Sequence, residues 1–180
     1  MKPSAILETV LYARDLGAIE EFYRRALALE PFAKADGRQV FYRVGEQVLL
    51  IFNPNSSSKP PADDAKLPVP PHGADGEGHV CFRASADEIT AWRAHLEKQG
   101  VYIEADFEWP DGGRSIYFRD PAGNCLEFAE PRIWGLKWWM ANDAPLAARR
   151  PPRRRHPQSR QGVGDQQADR TLWPRCGVGG

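Results

Sequence analysis

Cysteine is scarce, long apolar runs are missing, and the charges cancel. Three cysteines, Cys81, Cys125 and Cys176, are too few and too scattered for a disulfide framework or a cysteine-built zinc site. They suit a reducing cytoplasm. No run of about 18 apolar residues occurs, so no membrane-spanning helix and no membrane partner is expected. Met1-Lys2-Pro3-Ser4 leads into a short apolar run that Glu8 interrupts, unlike a secretory signal. A Gly-rich phosphate loop is also missing, which argues against nucleotide-dependent chemistry.

The 24 Lys+Arg and 24 Asp+Glu hide two unlike parts. Residues 1–140 carry 16 Lys+Arg and 21 Asp+Glu, whereas residues 141–180 carry eight Arg, no Lys and three Asp. The latter stretch also holds five Pro, five Gly and one aromatic, Trp173. It has too little apolar surface to offset its ordering entropy and is expected to be a disordered basic tail. Its run Arg149-Arg150-Pro151-Pro152-Arg153-Arg154-Arg155 reads as a polyanion-binding arm, a solvated tail or an out-of-frame extension. The last two are preferred, so no nucleic-acid partner is expected.

What is present within 1–140 is a repeat. Phe41-Tyr42-Arg43 through Phe52 matches Tyr117-Phe118-Arg119 through Phe128 at an offset of 76, as do Gly37-Arg38 and Gly113-Arg114. Each copy reads strand, turn, strand. Upstream, Ile6 to Tyr12 forms a strand and Leu16 to about Ala28 a helix capped by Asp15, with Ile19, Phe22, Tyr23 and Ala26 at helical spacing. In the second copy Gly78 to Arg83 is the strand. Ser85 opens a helix with Asp87 and Glu88 in its first turn, and Gly100 ends it. The expected fold is α+β: two βαβββ modules, about 5–53 and 78–134, forming a curled mixed-sheet cleft. Residues 54–77, rich in Pro and Ser, form a linker or a lid.

Paired βαβββ modules, Phe22-Tyr23 on the first helix, Gly78-His79-Val80-Cys81-Phe82, and Phe118-Arg119-Asp120-Pro121-Ala122-Gly123-Asn124-Cys125-Leu126-Glu127 together resemble the vicinal oxygen chelate (VOC) superfamily over about residues 5–134. That superfamily includes glyoxalase I, extradiol dioxygenases, fosfomycin-resistance thiol transferases and bleomycin-binding proteins. The resemblance implies metal ligands on first and last strands, here Glu8, His79 and Glu127. Strand alternation puts each of them opposite larger apolar side chains that can face the helices. Glu8 corresponds to His79, and at the 76 offset Glu127 corresponds to Ile51, which cannot bind a metal. The set resembles that of the fosfomycin-resistance transferases, with Glu8 where they have His. The alternative readings are a buried ion pair of Glu8 with Arg43 or Arg119, a core histidine at 79, and an exposed strand residue at 127.

Two carboxylates and an imidazole suit one divalent ion, Mn, Fe, Ni, Co or Zn, with open positions for a substrate. They are not the two-His-one-carboxylate set of oxygen-activating iron. The implied function is a glyoxalase-like metalloenzyme, a lyase, isomerase or transferase, with the ion as Lewis acid on a small oxygen-rich substrate. Glu8 or Glu127 would be its catalytic base. The alternative is a metal-free drug- or metabolite-binding protein of the bleomycin-resistance kind, whose acidic cleft would suit a cationic guest. A homodimer is expected on the resemblance. Arg14, Arg38, Arg83 and Arg114 are candidates for a substrate carboxylate. His72 reads as a lid residue, Cys81 and Cys125 as buried structural thiols, Trp109 as part of a turn that could also wall one end of a pocket, and Trp134, Trp138 and Trp139 as packing or interface residues.

Overall fold

The computed structural model describes residues 1–136. The expectations for the 141–180 tail, for Trp138, Trp139 and Cys176, and for the boundary at 140 lie outside the described residues.

The expected modules are present as two four-stranded mixed sheets, each with a long helix. The first holds β1 (Glu8–Tyr12), β2 (Pro31–Ala35), β3 (Gln39–Val44) and β4 (Gln47–Phe52) in the order β1-β4-β3-β2, with α1 (Leu16–Leu27) after β1. A short helix, α2 (Pro54–Ser57), opens the linker. The second holds β5 (His79–Arg83), β6 (Ile103–Glu108), β7 (Arg114–Arg119) and β8 (Cys125–Ala129) in the order β5-β8-β7-β6, with α3 (Ala86–Lys98) after β5. In both, the first strand pairs parallel with the last and the remaining pairs are antiparallel.

The helix ends follow local chemistry. Asp15 accepts the Ala18 N–H at 3.0 Å, and Ser85 with Glu88 forms a reciprocal capping box. At the end of α1, Ala28 adopts φ 53°, with Ala28 N bonded to Arg24 O and Leu29 N to Tyr23 O. The Ala28 bond is the 5→1 closure of a left-handed helix end, with a Cβ where glycine is favoured. Ala28→Gly is expected to raise stability by about 0.5–1 kcal/mol in a denaturant titration, since it removes left-handed strain. An unchanged or lower midpoint would count against that reading.

One core serves both modules. Ile19, Tyr23, Val40, Tyr42, Leu49 and Ile51 from the first pack with Ile89, Leu96, Ile116, Phe118, Leu126 and Phe128 from the second. The turn between β7 and β8 joins the modules further. Asn124, fully buried, accepts the Gly78 N–H at 2.8 Å and donates to Tyr12 O at 3.1 Å and to Asp120 Oδ2 at 2.9 Å. Tyr23 of α1 donates to the same Asp120 oxygen at 3.3 Å. Burial pushes the Asp120 carboxyl up, against the pull of its hydrogen bonds from Asn124 and Ala122. Gly78 is required here, because a Cβ would lie 2.7 Å from Leu11 Cδ2 and 3.0 Å from Asn124 Oδ1.

That turn also corrects the repeat. Val44 pairs with Gln47 across the first turn, whereas Arg119 pairs with Cys125 across the second. Matching β3 to β7 at 76 therefore leaves β4 and β8 matched at 77, with one extra residue in the second turn. Glu127 corresponds to Leu50, not Ile51. A shift of one residue exchanges the faces of a strand. Ile51 lies in the shared core, while Leu50 joins Phe41, Phe52, Val10, Tyr12 and Val48 on the opposite face of the first sheet.

Candidate functional site

The second sheet builds a polar face from alternate residues. Register places Cys81 opposite Glu127, His79 opposite Cys125, and Tyr117 opposite Glu127 on the other side. Leu126 and Phe128, which alternate with Glu127, lie in the core. The sequence pattern thus sends the apolar side chains inward and leaves the ionisable ones together on the far face.

Glu127 is only 5% exposed. Its Oε2 lies 3.3 Å from His79 Nε2, and its Oε1 has no hydrogen-bond partner among the described residues. His79 Nδ1 is 3.1 Å from Cys125 O, which orients the ring and leaves Nε2 directed at the carboxylate. Cys81 and Tyr117 flank the same carboxylate without satisfying Oε1. Burial, then the Glu127 charge, pushes the Cys81 thiol up, and burial, then a hydrogen bond with Glu127, pushes the Tyr117 hydroxyl up to about 12. Cys81 belongs to an exposed residue, but its thiol lies back against the sheet, 3.7 Å from Phe82 O. A thiol held protonated in this way is not an activated nucleophile.

A buried carboxylate oxygen without a donor is costly, and an imidazole nitrogen beside it makes an electron-rich pair. That donor set fits a divalent cation. Glu8 stands apart from it. It is the exposed first residue of β1, not a charge buried in an apolar strand. Neither proposed arginine pairs with it: Arg43 sits 4.3 Å from the centre of the Phe32 ring, and Arg119 binds Glu104, Glu77 and Gly123 O. Register does put Glu8 at the position of His79, since Glu8 pairs with Val48 and His79 with Cys125. Among the described residues no three His, Cys, Asp or Glu side chains converge as a metal-holding group. One chain therefore brings His79 and Glu127 together without Glu8.

The remaining candidates are also placed. Arg14 binds Asn55 and Asp75, Arg38 binds Ser56 O, and Arg114 makes a two-pronged contact with Asp106 at 2.7 Å that also involves Arg93. His72 reaches back over the first sheet. Its Nδ1 lies 2.8 Å from Tyr12 Oη, and its ring meets Phe52 edge-on at 4.6 Å. Part of the linker thus covers the face that holds Leu50. Trp109 is fixed by Nε1–H donation to Ser115 Oγ at 2.9 Å. Trp134 is 76% exposed in a 3₁₀ turn after β8.

Sequence reasoning missed Tyr117 as a neighbour of Glu127 and Asn124 as the joint between modules. The alternation of β7 against β8 could have revealed the first. An Asp-Pro-Ala-Gly-Asn turn, with both ends able to bond backbone, was the only signal for the second.

Among the described residues no helix is long and apolar enough to cross a membrane. A search of curated proteins finds no match. Among solved structures, lactoylglutathione lyase from Agrobacterium tumefaciens is 44% identical, with a TM-score of 0.71, covering 76% of this chain and 100% of that one. A glyoxalase/bleomycin resistance protein/dioxygenase from Nocardioides is 21% identical (TM-score 0.57; 72% of this chain, 85% of that one) and shares the fold. So does a fosfomycin resistance protein from Listeria monocytogenes at 17% identity (TM-score 0.53; 71% of this chain, 91% of that one). The sequence profile of the Glyoxalase/Bleomycin resistance protein/Dioxygenase superfamily matches residues 5–128. With the paired βαβββ sheets and that match, the chain belongs to this superfamily, the VOC proteins.

Proposed function

We propose that the protein is a metal-dependent enzyme of the glyoxalase kind, a lyase or isomerase acting on a small oxygen-rich molecule in a reducing cytoplasm. The observation that carries this reading is the buried Glu127, with one oxygen unpartnered and the other beside His79 Nε2. His79 and Glu127 of one copy, with Glu8 of a second copy in a homodimer, would hold one divalent ion. Such an ion, when bound, supplies Lewis-acid stabilisation of a substrate oxyanion. Glu127 or Glu8 would take a proton from the substrate carbon and return it nearby, and the Tyr117 hydroxyl would keep its proton as a donor beside Glu127. The similarity to the Agrobacterium lactoylglutathione lyase supports lactoylglutathione-type chemistry.

The apolar face around Leu50, Phe41 and Phe52 favours a second reading. On it, the protein would sequester a guest without a metal, as bleomycin-resistance proteins do.

Elemental analysis of the full chain, purified without added metal or a His tag, separates the two. About one divalent ion per chain is expected, lost in Glu8→Ala and His79→Ala. Metal-free protein, with folding unchanged in both variants, would leave the guest-binding reading.

A further inference from the structure

Rings line the Glu127 face of the second sheet in sequence. His79 stacks on Tyr117 with centroids 6.4 Å apart and planes 25° apart. Tyr117 stacks on Phe107 at 5.8 Å and 10°, and Phe107 meets Trp109 at 5.1 Å and 59°. Register accounts for the common face: Phe107 opposes Ser115, and Ser115 and Tyr117 are two residues apart on β7. The row ends in exposed rings, Phe107 at 41% and Trp109 at 37%. Trp109 is not a loose side chain. Its Nε1–H bonds Ser115 Oγ, and its backbone N–H bonds Gly113 O at 2.8 Å, closing a turn through Gly112 and Gly113 at positive φ.

We propose that Phe107 and Trp109, continued by Tyr117 to the His79–Glu127 pair, form a stacking subsite for a planar aromatic or conjugated part of the substrate. Rigid rings that are half exposed lose little entropy when a ligand covers them. The exposed rings of Phe107 and Trp109, tilted 59° to each other, offer a flat guest one face to stack on and one edge to meet. The row leads from an apolar end to a polar end, as a site does for a ligand with a flat body and oxygen-bearing head. The subsite rests on the proposed function only for where the oxygens of the substrate go.

The test uses the full chain and two probes of one skeleton, 2-naphthol and its saturated counterpart decahydro-2-naphthol, titrated by calorimetry. Each carries a single hydroxyl, so neither can chelate through vicinal oxygens. The flat probe is expected to bind about tenfold more tightly than the saturated one. Trp109→Ala and Phe107→Ala should each lower its affinity about tenfold, and Trp109→Phe, which keeps a ring, should restore most of the loss. Equal affinity for the two probes, or a preference that survives both alanine variants, would overturn the proposal. So would flat-probe binding that weakens as protein concentration rises, because a second copy would then occupy the rings. Metal content, read in the same samples, reports on Glu8, His79 and Glu127 alone, so either reading can fail without the other.

Discussion

Glu127→Gln is expected to weaken divalent metal binding by at least about a hundredfold and to leave the metal-free protein as stable as before, or about 1 kcal/mol more stable. The two effects have opposite signs for one reason. Loss of groups that merely support a ligand costs metal affinity about 10–100-fold, and loss of a direct ligand costs more. Without a cation, however, the same carboxylate is 5% exposed with Oε1 unpartnered. Burying such a group costs free energy that a neutral amide reduces. Function and stability conflict where a protein holds charge ready for a ligand. Metal stoichiometry by elemental analysis and thermal unfolding with and without a chelator measure the two effects. A variant that keeps its metal, or that is several kcal/mol less stable in chelator, would reject Glu127 as a ligand.

Asn124→Ala is expected to cost about 3–5 kcal/mol and to lower the unfolding temperature by roughly 10 °C or more. Its side chain joins Tyr12 of the first module to Gly78 and Asp120 of the second. Its amide holds Gly78 N, Tyr12 O and Asp120 Oδ2, all in a fully buried setting. Truncation takes the Asn124 partner from the Gly78 N–H and the Tyr12 carbonyl, leaves Asp120 Oδ2 with the Tyr23 hydroxyl as its side-chain donor, and opens a cavity. Because Gly78 directly precedes His79, the loss should also loosen the placement of the imidazole. Chemical denaturation is the direct measurement. A loss below about 1 kcal/mol would mean that the shared core, not this turn, joins the modules.

The repeat was legible because its signals are local. Ile19, Phe22, Tyr23 and Ala26 fall at helical spacing, Asp15 and Ser85 are caps by chemistry, and Leu126 and Phe128 alternate with Glu127. The correspondence of Glu8 with His79 was legible for the same reason, and the strand register agrees with it. The partner of Glu127 in the first module was misread as Ile51 because an ungapped match hides an insertion inside a turn. A turn tolerates one residue at little cost, but a strand beyond it cannot shift by one without turning its core face to solvent. The burial of Leu50 and Ile51 on opposite faces resolves this.

By itself the sequence determined the α+β class, the two modules, the helix caps and which residues alternate on each strand. Tertiary structure decided what those residues meet. It put His79 against Glu127 and kept Glu8 out of that pair, and it folded His72 over Tyr12 and Phe52. It also made Asn124 a joint and aligned Tyr117, Phe107 and Trp109 into a row. Periodicity and capping act over a few residues, so they can be read along the chain. Contacts across strands and between modules depend on register and on turn length, which only the packed core enforces.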